Sequence, residues 1–219
     1  STTFHTSTLA AGPYTVTYAY VAGDPNYTAQ NGTSTLYVGA KPKVTVNPKS
    51  ITVTAGSTVT FTAAATGTPT PTVQWQVSTN GLTYVNIPGA TSTTLTFTAS
   101  ASQTGYHYRA VFTSSLGTVN TAIALLTVQA PPTVTINPLS QTVAAGKHAY
   151  FTAAATGNPK PTVQWQVSTD GGLTWTNIAG ATSTTLTIVS TLAENGYEYR
   201  ALFTNIIGSA FTTAATLTV

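Results

Sequence analysis

The chain has 219 residues, more than one small domain requires, and its composition is that of a folded protein with little charge: 42% hydrophobic, 10% aromatic and 5% charged residues. The formal charge of +3 comes from Lys41, Lys43, Lys49, Arg109, Lys147, Lys160 and Arg200 against four acids, and this scatter excludes the clustered phosphate contacts of a nucleic-acid binder. Cysteine is absent, which excludes disulfides and thiolate metal sites, and no apolar run reaches the roughly 20 residues of a membrane-spanning helix.

Residues 1–40 alternate in strand fashion, with Tyr14, Val16, Tyr18 and Tyr20 on one face, and predict about three strands. Leu9, Gly12, Tyr14, Val16, Tyr20, Gly23, Asp24, Asn26, Tyr27 and a closing Leu36-Tyr37-Val38 follow the pattern of a bacterial immunoglobulin-like domain type, whose second half this segment resembles. The resemblance implies a partial domain, because a sandwich of about 100 residues needs seven strands. Truncation of a longer protein is the reading taken, with strand supply by a neighbouring chain as its alternative. Asn26-Tyr-Thr and Asn31-Gly-Thr match the N-glycosylation pattern, in turn-rich sequence.

From Pro42 the chain repeats itself. PKVTVNPKSITVTAG at 42–56 returns as PTVTINPLSQTVAAG at 132–146, FTAAATGTPTPTVQWQVST as FTAAATGNPKPTVQWQVST, and IPGATSTTLT as IAGATSTTLT. A period of about 90 residues is the size of one small sandwich. Short alternating runs such as VQWQV and YHYRAVF, set off by Gly, Pro and Asn-Gly, predict strands, and Thr and Val dominate throughout. The junctions, Gly39-Ala40-Lys41 before Pro42 and Gln129-Ala130 before Pro131-Pro132, are short and proline-bearing, which predicts restricted bending and a semi-rigid rod.

Both repeats resemble the immunoglobulin superfamily, in particular I-set-like repeats of bacterial surface and secreted proteins. The resemblance rests on Trp75 and Trp165 in VQWQV and on Tyr108 and Tyr199 in TGYHYRA and NGYEYRA, the tyrosine-corner position. It implies an all-β fold of tandem immunoglobulin-like β-sandwiches, with domains at 42–128 and 132–219 after the partial domain at 1–40. It also implies cysteines where Ala63, Ala110, Ala153 and Ala201 stand. Losing such a bridge costs about 2–5 kcal/mol, which packing around the tryptophans has to offset.

Chemistry is scarce. The four acids are Asp24, Asp170, Glu194 and Glu198, and residues 42–128 contain none, so that repeat can host no carboxylate pair or hard-metal cage. Asp24 with Asn26 fits a Gly-Asp-Pro-Asn turn better than a calcium loop. Glu194 and Glu198 flank a turn and read as solvated. His5, His107 and His148 cannot build a zinc site without long-range convergence, no GxSxG elbow occurs, and all three read as solvent-facing strand or turn residues. No cofactor, metal site or catalytic residue is predicted.

Two features face outward with binding potential. Arg109 and Arg200 sit between inward positions of a strand, beside Gln74 and Gln76 or Gln164 and Gln166, where each could lie over Tyr84 or Trp175 as a cation–π contact. Trp175 and Tyr84 are the aromatics most suited to stacking on a sugar. These four residues are the candidate ligand contacts.

The leading expectation is a non-enzymatic extracellular or cell-surface protein with a structural or adhesive role, whose partners are other immunoglobulin-like domains, copies of itself in a filament, or surface glycans. The alternative is an accessory carbohydrate-binding or spacer region of a secreted hydrolase.

Overall fold

A computed structural model describes residues 9–20 and 30–219. It opens on an antiparallel hairpin of β1 (Gly12–Tyr20) and β2 (Gln30–Val38), with Gly12 opposite Val38 and Tyr18 opposite Gly32. Two strands, not three, are therefore present among the described residues before position 40. The Tyr18 ring lies over Gly32, and an added Cβ there would meet the ring at 2.4 Å, so a side chain at 32 would push the exposed tyrosine aside. Tyr14 donates its hydroxyl to the Ala10 carbonyl at 2.9 Å. Asn31 is exposed on β2 rather than in a turn. His5, Asp24 and Asn26 lie outside the described residues.

Two compact units follow one another along the chain, with Thr127 the last residue of the first and Val128 opening the long final stretch of the second. The first contains the hairpin, β3 (Ala40–Val46), β5 (Thr58–Thr62), β6 (Ala64–Thr68), β7 (Thr72–Ser78), β8 (Val85–Asn86), β9 (Thr94–Thr98), β10 (Tyr106–Ser114), β11 (Gly117–Asn120) and the start of β12 (Ala124–Ile136), and β4 (Ile51–Thr54) falls at its boundary, with Ile51 in the first unit and Thr52 to Thr54 in the second. In the second come β13 (Gln141–Thr142), β14 (His148–Thr152), β15 (Ala154–Asn158), β16 (Thr162–Ser168), β17 (Thr176–Asn177), β18 (Thr185–Val189), β19 (Glu198–Asn205), β20 (Gly208–Phe211) and β21 (Ala215–Thr218). The residues read as junctions are strand residues: Ala40, Lys41 and Pro42 belong to β3, and Gln129 to Pro132 to β12.

Each unit packs a two-stranded sheet against a larger one. In the first, β5 pairs with β9 while β7 and β10 form the centre of the other sheet, with β8 on one side and β11 and β12 on the other. The inward positions of the alternation, Val59, Phe61, Trp75, Tyr108, Phe112 and Leu126 among them, are buried. Phe61 bridges the sheets, its ring centroid 5.0 Å from Tyr108 and 6.3 Å from Trp75. The second unit repeats the plan with β14 on β18 and with β16, β19 and β21 opposite them. Its core gathers Phe151, Trp165, Leu186, Tyr199, Phe203 and Leu217, and Phe151 stacks on Tyr199 at 4.8 Å. Burial pushes the Tyr199 phenol up to about 12, with the Glu194 charge and then Tyr197 adding to it.

The alanines at the positions where the resemblance implies cysteines, Ala63, Ala110, Ala153 and Ala201, are fully buried (0% exposed), as are both core tryptophans. Ala110 stands directly across from Trp75, and Ala201 from Trp165. Each indole N–H is satisfied by a carbonyl at 2.8 Å, Trp75 donating to Ser92 and Trp165 to Ser183. The sequence thus places a large ring beside a minimal side chain, so the space a cystine would occupy is closed by packing.

A buried threonine locks the neighbouring strand in each unit. The Thr212 hydroxyl accepts the Ala201 N–H at 2.9 Å while the Thr212 N–H donates to the Ala201 carbonyl at 3.0 Å; Thr121 does the same for Ala110. Thr212→Val keeps the shape but leaves the buried Ala201 N–H without a partner, at an expected cost of about 1–3 kcal/mol. A urea midpoint that does not fall would show that this hydrogen bond adds nothing.

Candidate functional site

The outward face of the larger sheet in the second unit carries the sequence-predicted contacts. Alternation along β19 turns Arg200 out, and the register sets it opposite Gln166. The Arg200 Nε donates to Gln166 Oε1 at 2.9 Å, and Gln166 Nε2 in turn donates to Asn177 Oδ1 at 2.9 Å. The guanidinium lies between two rings, 4.1 Å from the centroid of Trp175 and 4.1 Å from that of Phe211. Trp175 is half-buried and donates its indole N–H to the Gly172 carbonyl at 3.0 Å. Burial lowers the Arg200 pKa, yet a guanidinium stays charged at neutral pH.

In the first unit Arg109 lies 3.9 Å over the Tyr84 ring and donates to Gln76 Oε1 at 2.9 Å. The residue matching Phe211 is Asn120, so the second ring is missing. Gln74 and Gln164 do not join the arginines: each donates to backbone carbonyls, Gln74 to Trp75 and Ile87, Gln164 to Trp165 and Ile178. Phe211 is the site residue that sequence reasoning missed. Aligning the repeats would have found it, since Asn120 and Phe211 precede the same Thr-x-x motif position at Thr121 and Thr212.

The described acids serve local structure. Glu194 caps the short 3₁₀ helix Leu192–Glu194, accepting the Thr191 N–H at 2.8 Å. Glu198 lies half-buried on β19, and Gly172 is obligatory beside it: its φ is +87° and a Cβ there would come within 2.9 Å of the carboxylate. His107 takes the matching place in the first unit, against Gly81. It is half-buried, not solvent-facing, and its Nδ1, like the Tyr84 hydroxyl, is buried without a partner among the described residues. His148 is exposed and stacks on Tyr150 at 6.0 Å. No group of three metal-ligating side chains occurs among the described residues. Arg200 and Arg109 with their rings form a braced polar sheet face, in which no nucleophile is paired with a base.

Asp170 organises the turn after β16. Its carboxylate accepts the Ser168 hydroxyl at 2.7 Å, the Thr174 N–H at 2.9 Å and the Thr174 hydroxyl at 2.5 Å. These bonds, the Thr174 hydroxyl foremost, hold its pKa down from 3.8 to about 2. In the first unit the neutral Asn80 fills the role, accepting from Ser78, Leu82 and Thr83. A folded pKa below the unfolded one gives stability that is complete above about pH 3.8 and is lost as pH falls through about 2. Asp170→Asn is therefore expected to flatten the acid limb of the second unit's stability curve. NMR titration of the wild-type carboxyl checks the cause, and a midpoint near 3.8 would refute it.

With these sheets and cores described, the fold is that of tandem immunoglobulin-like β-sandwiches. Residues 41–110 match the immunoglobulin domain model, and residues 133–219 match a Domain of unknown function (DUF8696). Over 183 residues, 83% of this chain, it is 48% identical to Endoglucanase C of Cellulomonas fimi, of which that stretch is only 16%. It is also 31% identical over 104 residues to human Hemicentin-1, covering 47% of this chain and 2% of that protein. Among solved structures, DIP-gamma IG1+IG2 superposes with a TM-score of 0.63 at 17% identity, covering 82% of this chain and 97% of that one. The N-terminal four Ig domains of Dscam1 isoform 6.9 give 0.59 at 28% identity over 86% of this chain and 50% of theirs.

Proposed function

We propose that the chain is a non-catalytic accessory segment of a secreted bacterial polysaccharide hydrolase, with sandwich domains at 42–128 and 132–219 acting as spacers beside the catalytic module. The similarity to a segment of Endoglucanase C carries this reading, since 48% identity over 183 residues is far closer than fold likeness alone. The acid-free stretch 42–128 supports it, because glycoside hydrolysis needs two converging carboxylates. Extracellular location follows from the same reading. The adhesive-fibre role expected from the sequence takes second place, since the tandem domains serve a spacer equally well.

Under this reading Arg200, Trp175, Arg109 and Tyr84 brace the sheet. The guanidinium stack, worth about 0.5–2 kcal/mol, occupies one face of Trp175, which leaves a glycan the other face or the displacement of the stack. Mass spectrometry of the native polypeptide from culture fluid of its source tests the proposal: a hydrolase module in the same polypeptide is expected. Native fibres with a regular repeat, seen by electron microscopy, would overturn it.

A further inference from the structure

The second unit carries a different outward face on its smaller sheet, and it differs from the first unit at chosen positions. In the first unit the outward residues of β5 and β9 are Thr58, Thr60 and Thr62 opposite Thr98, Thr96 and Thr94, a field of threonines alone. In the second, His148 and Tyr150 replace the first two and Val189 stands opposite His148 in place of Thr98, while Thr187 faces Tyr150 and Thr152 stays and faces Thr185. Tyr150 is 56% exposed, and its ring stacks on His148 with centroids 6.0 Å apart and planes 28° from parallel. Beside Tyr150 a groove is lined by Leu139 and Gln141, where the first unit's groove has Lys49 and Ile51. Leu139 is 75% exposed.

None of these changes serves the fold. Thr and Tyr are both good strand formers, the positions face solvent, and the first unit closes the same sandwich with threonines there. The changes remove a cation from the groove and add two flat rings, apolar on their faces, with an exposed Val189 beside His148 and the hydroxyls of Thr187, Thr152 and Thr185 at the Tyr150 end. That combination suits a neutral polyhydroxylated ring: the aromatic faces cover the axial C–H groups, and the threonines and glutamine meet hydroxyls at the edge. An anionic ligand has no cation to meet in this groove, and the charge-poor chain offers little else to hold one.

We propose that His148 and Tyr150, with the adjoining groove, form a binding face for a neutral β-linked glucan. The choice of glucan rests on the accessory-segment reading; the aromatic platform does not. The test uses the whole chain, with depletion by phosphoric-acid-swollen cellulose and NMR titration with cellohexaose. The double variant H148T/Y150T restores the pair present at Thr58 and Thr60, so its unfolding midpoint is expected to stay unchanged. Its binding is expected to weaken about tenfold, the effect of losing about 1.4 kcal/mol, with the wild-type shifts centred on β14 and β18. Failure of the wild type to bind either probe, equal binding by the variant, or loss of binding only in Trp175→Ala would each overturn the proposal. If the native polypeptide contains a hydrolase while this chain ignores cellulose, the glucan face falls and the accessory reading stands. Binding lost in H148T/Y150T by a chain whose native polypeptide has no hydrolase has the opposite meaning.

Discussion

Trp165→Ala is expected to bring the second unit to the edge of unfolding while the first stays folded. The indole is fully buried at the centre of the core and touches both sheets' inner faces, so truncation leaves a cavity as well as lost transfer energy, about 3–5 kcal/mol together. It also strips the Ser183 carbonyl of its donor. Against a typical domain stability of about 5–15 kcal/mol, little remains. Amide hydrogen exchange resolves the two units separately: protection should collapse in β16, β19 and β21 and persist in β7 and β10, whose own tryptophan is intact. Trp165→Phe keeps most of the ring and should recover most of the loss. Unchanged protection in the second unit of the alanine variant would mean that the ring is not what holds the sheets together.

The second large effect is a gain. Installing cysteines at Ala153 and Ala201, the positions that the family resemblance assigns to its disulfide, is expected to close a loop of 48 residues and stabilise the second unit. Chain entropy alone gives about 4 kcal/mol for a loop of that length. The sulfurs must enter a sealed space beside Trp165, which costs about 1–3 kcal/mol in overpacking, so a net gain of about 1–3 kcal/mol is the expected result. Thiol labelling of the native protein and the shift of the urea midpoint under oxidising conditions measure it. Two thiols that remain free after oxidation would show that Ala153 and Ala201 are not cystine-competent partners, and that the alanine core has diverged in backbone as well as in composition.

Much of the fold is legible because one signal was written twice. The period of about 90 residues and the alternation around VQWQV, with a large ring at Trp75 and Trp165 between polar neighbours, define two sheet-on-sheet cores. The fates of Gln74 and Gln76 are not legible in that way. They lie two positions apart on one face with the same chemistry, and only three-dimensional register sends one to a backbone carbonyl and the other to an arginine. Proline-bearing junctions read as loops because Pro withholds an N–H, yet a strand tolerates it where that N–H would have no partner, as Pro42 and Pro131 do within β3 and β12. His107 was misjudged for a related reason. Alternation turns it outward, but the turn at Gly81 folds over it.

The aromatic pair His148 and Tyr150 stands out only when the two repeats are compared position by position. The signal lay in subtraction of one repeat from the other, which cancels what the fold needs and leaves what it does not.

The threonine field on β5 and β9 bears on how such a chain stays dispersed. Thr60 and Thr96 share a hydrogen bond across the strands at 3.2 Å, and every outward position of the pair presents a hydroxyl where other sheet proteins place lysine. Water held by hydroxyls is not displaced by screening, since mobile ions weaken only the fields of charges. A lysine-guarded sheet loses the charge repulsion between copies in brine, whereas this hydroxyl face has no such repulsion to lose and should behave alike in brine and in rainwater.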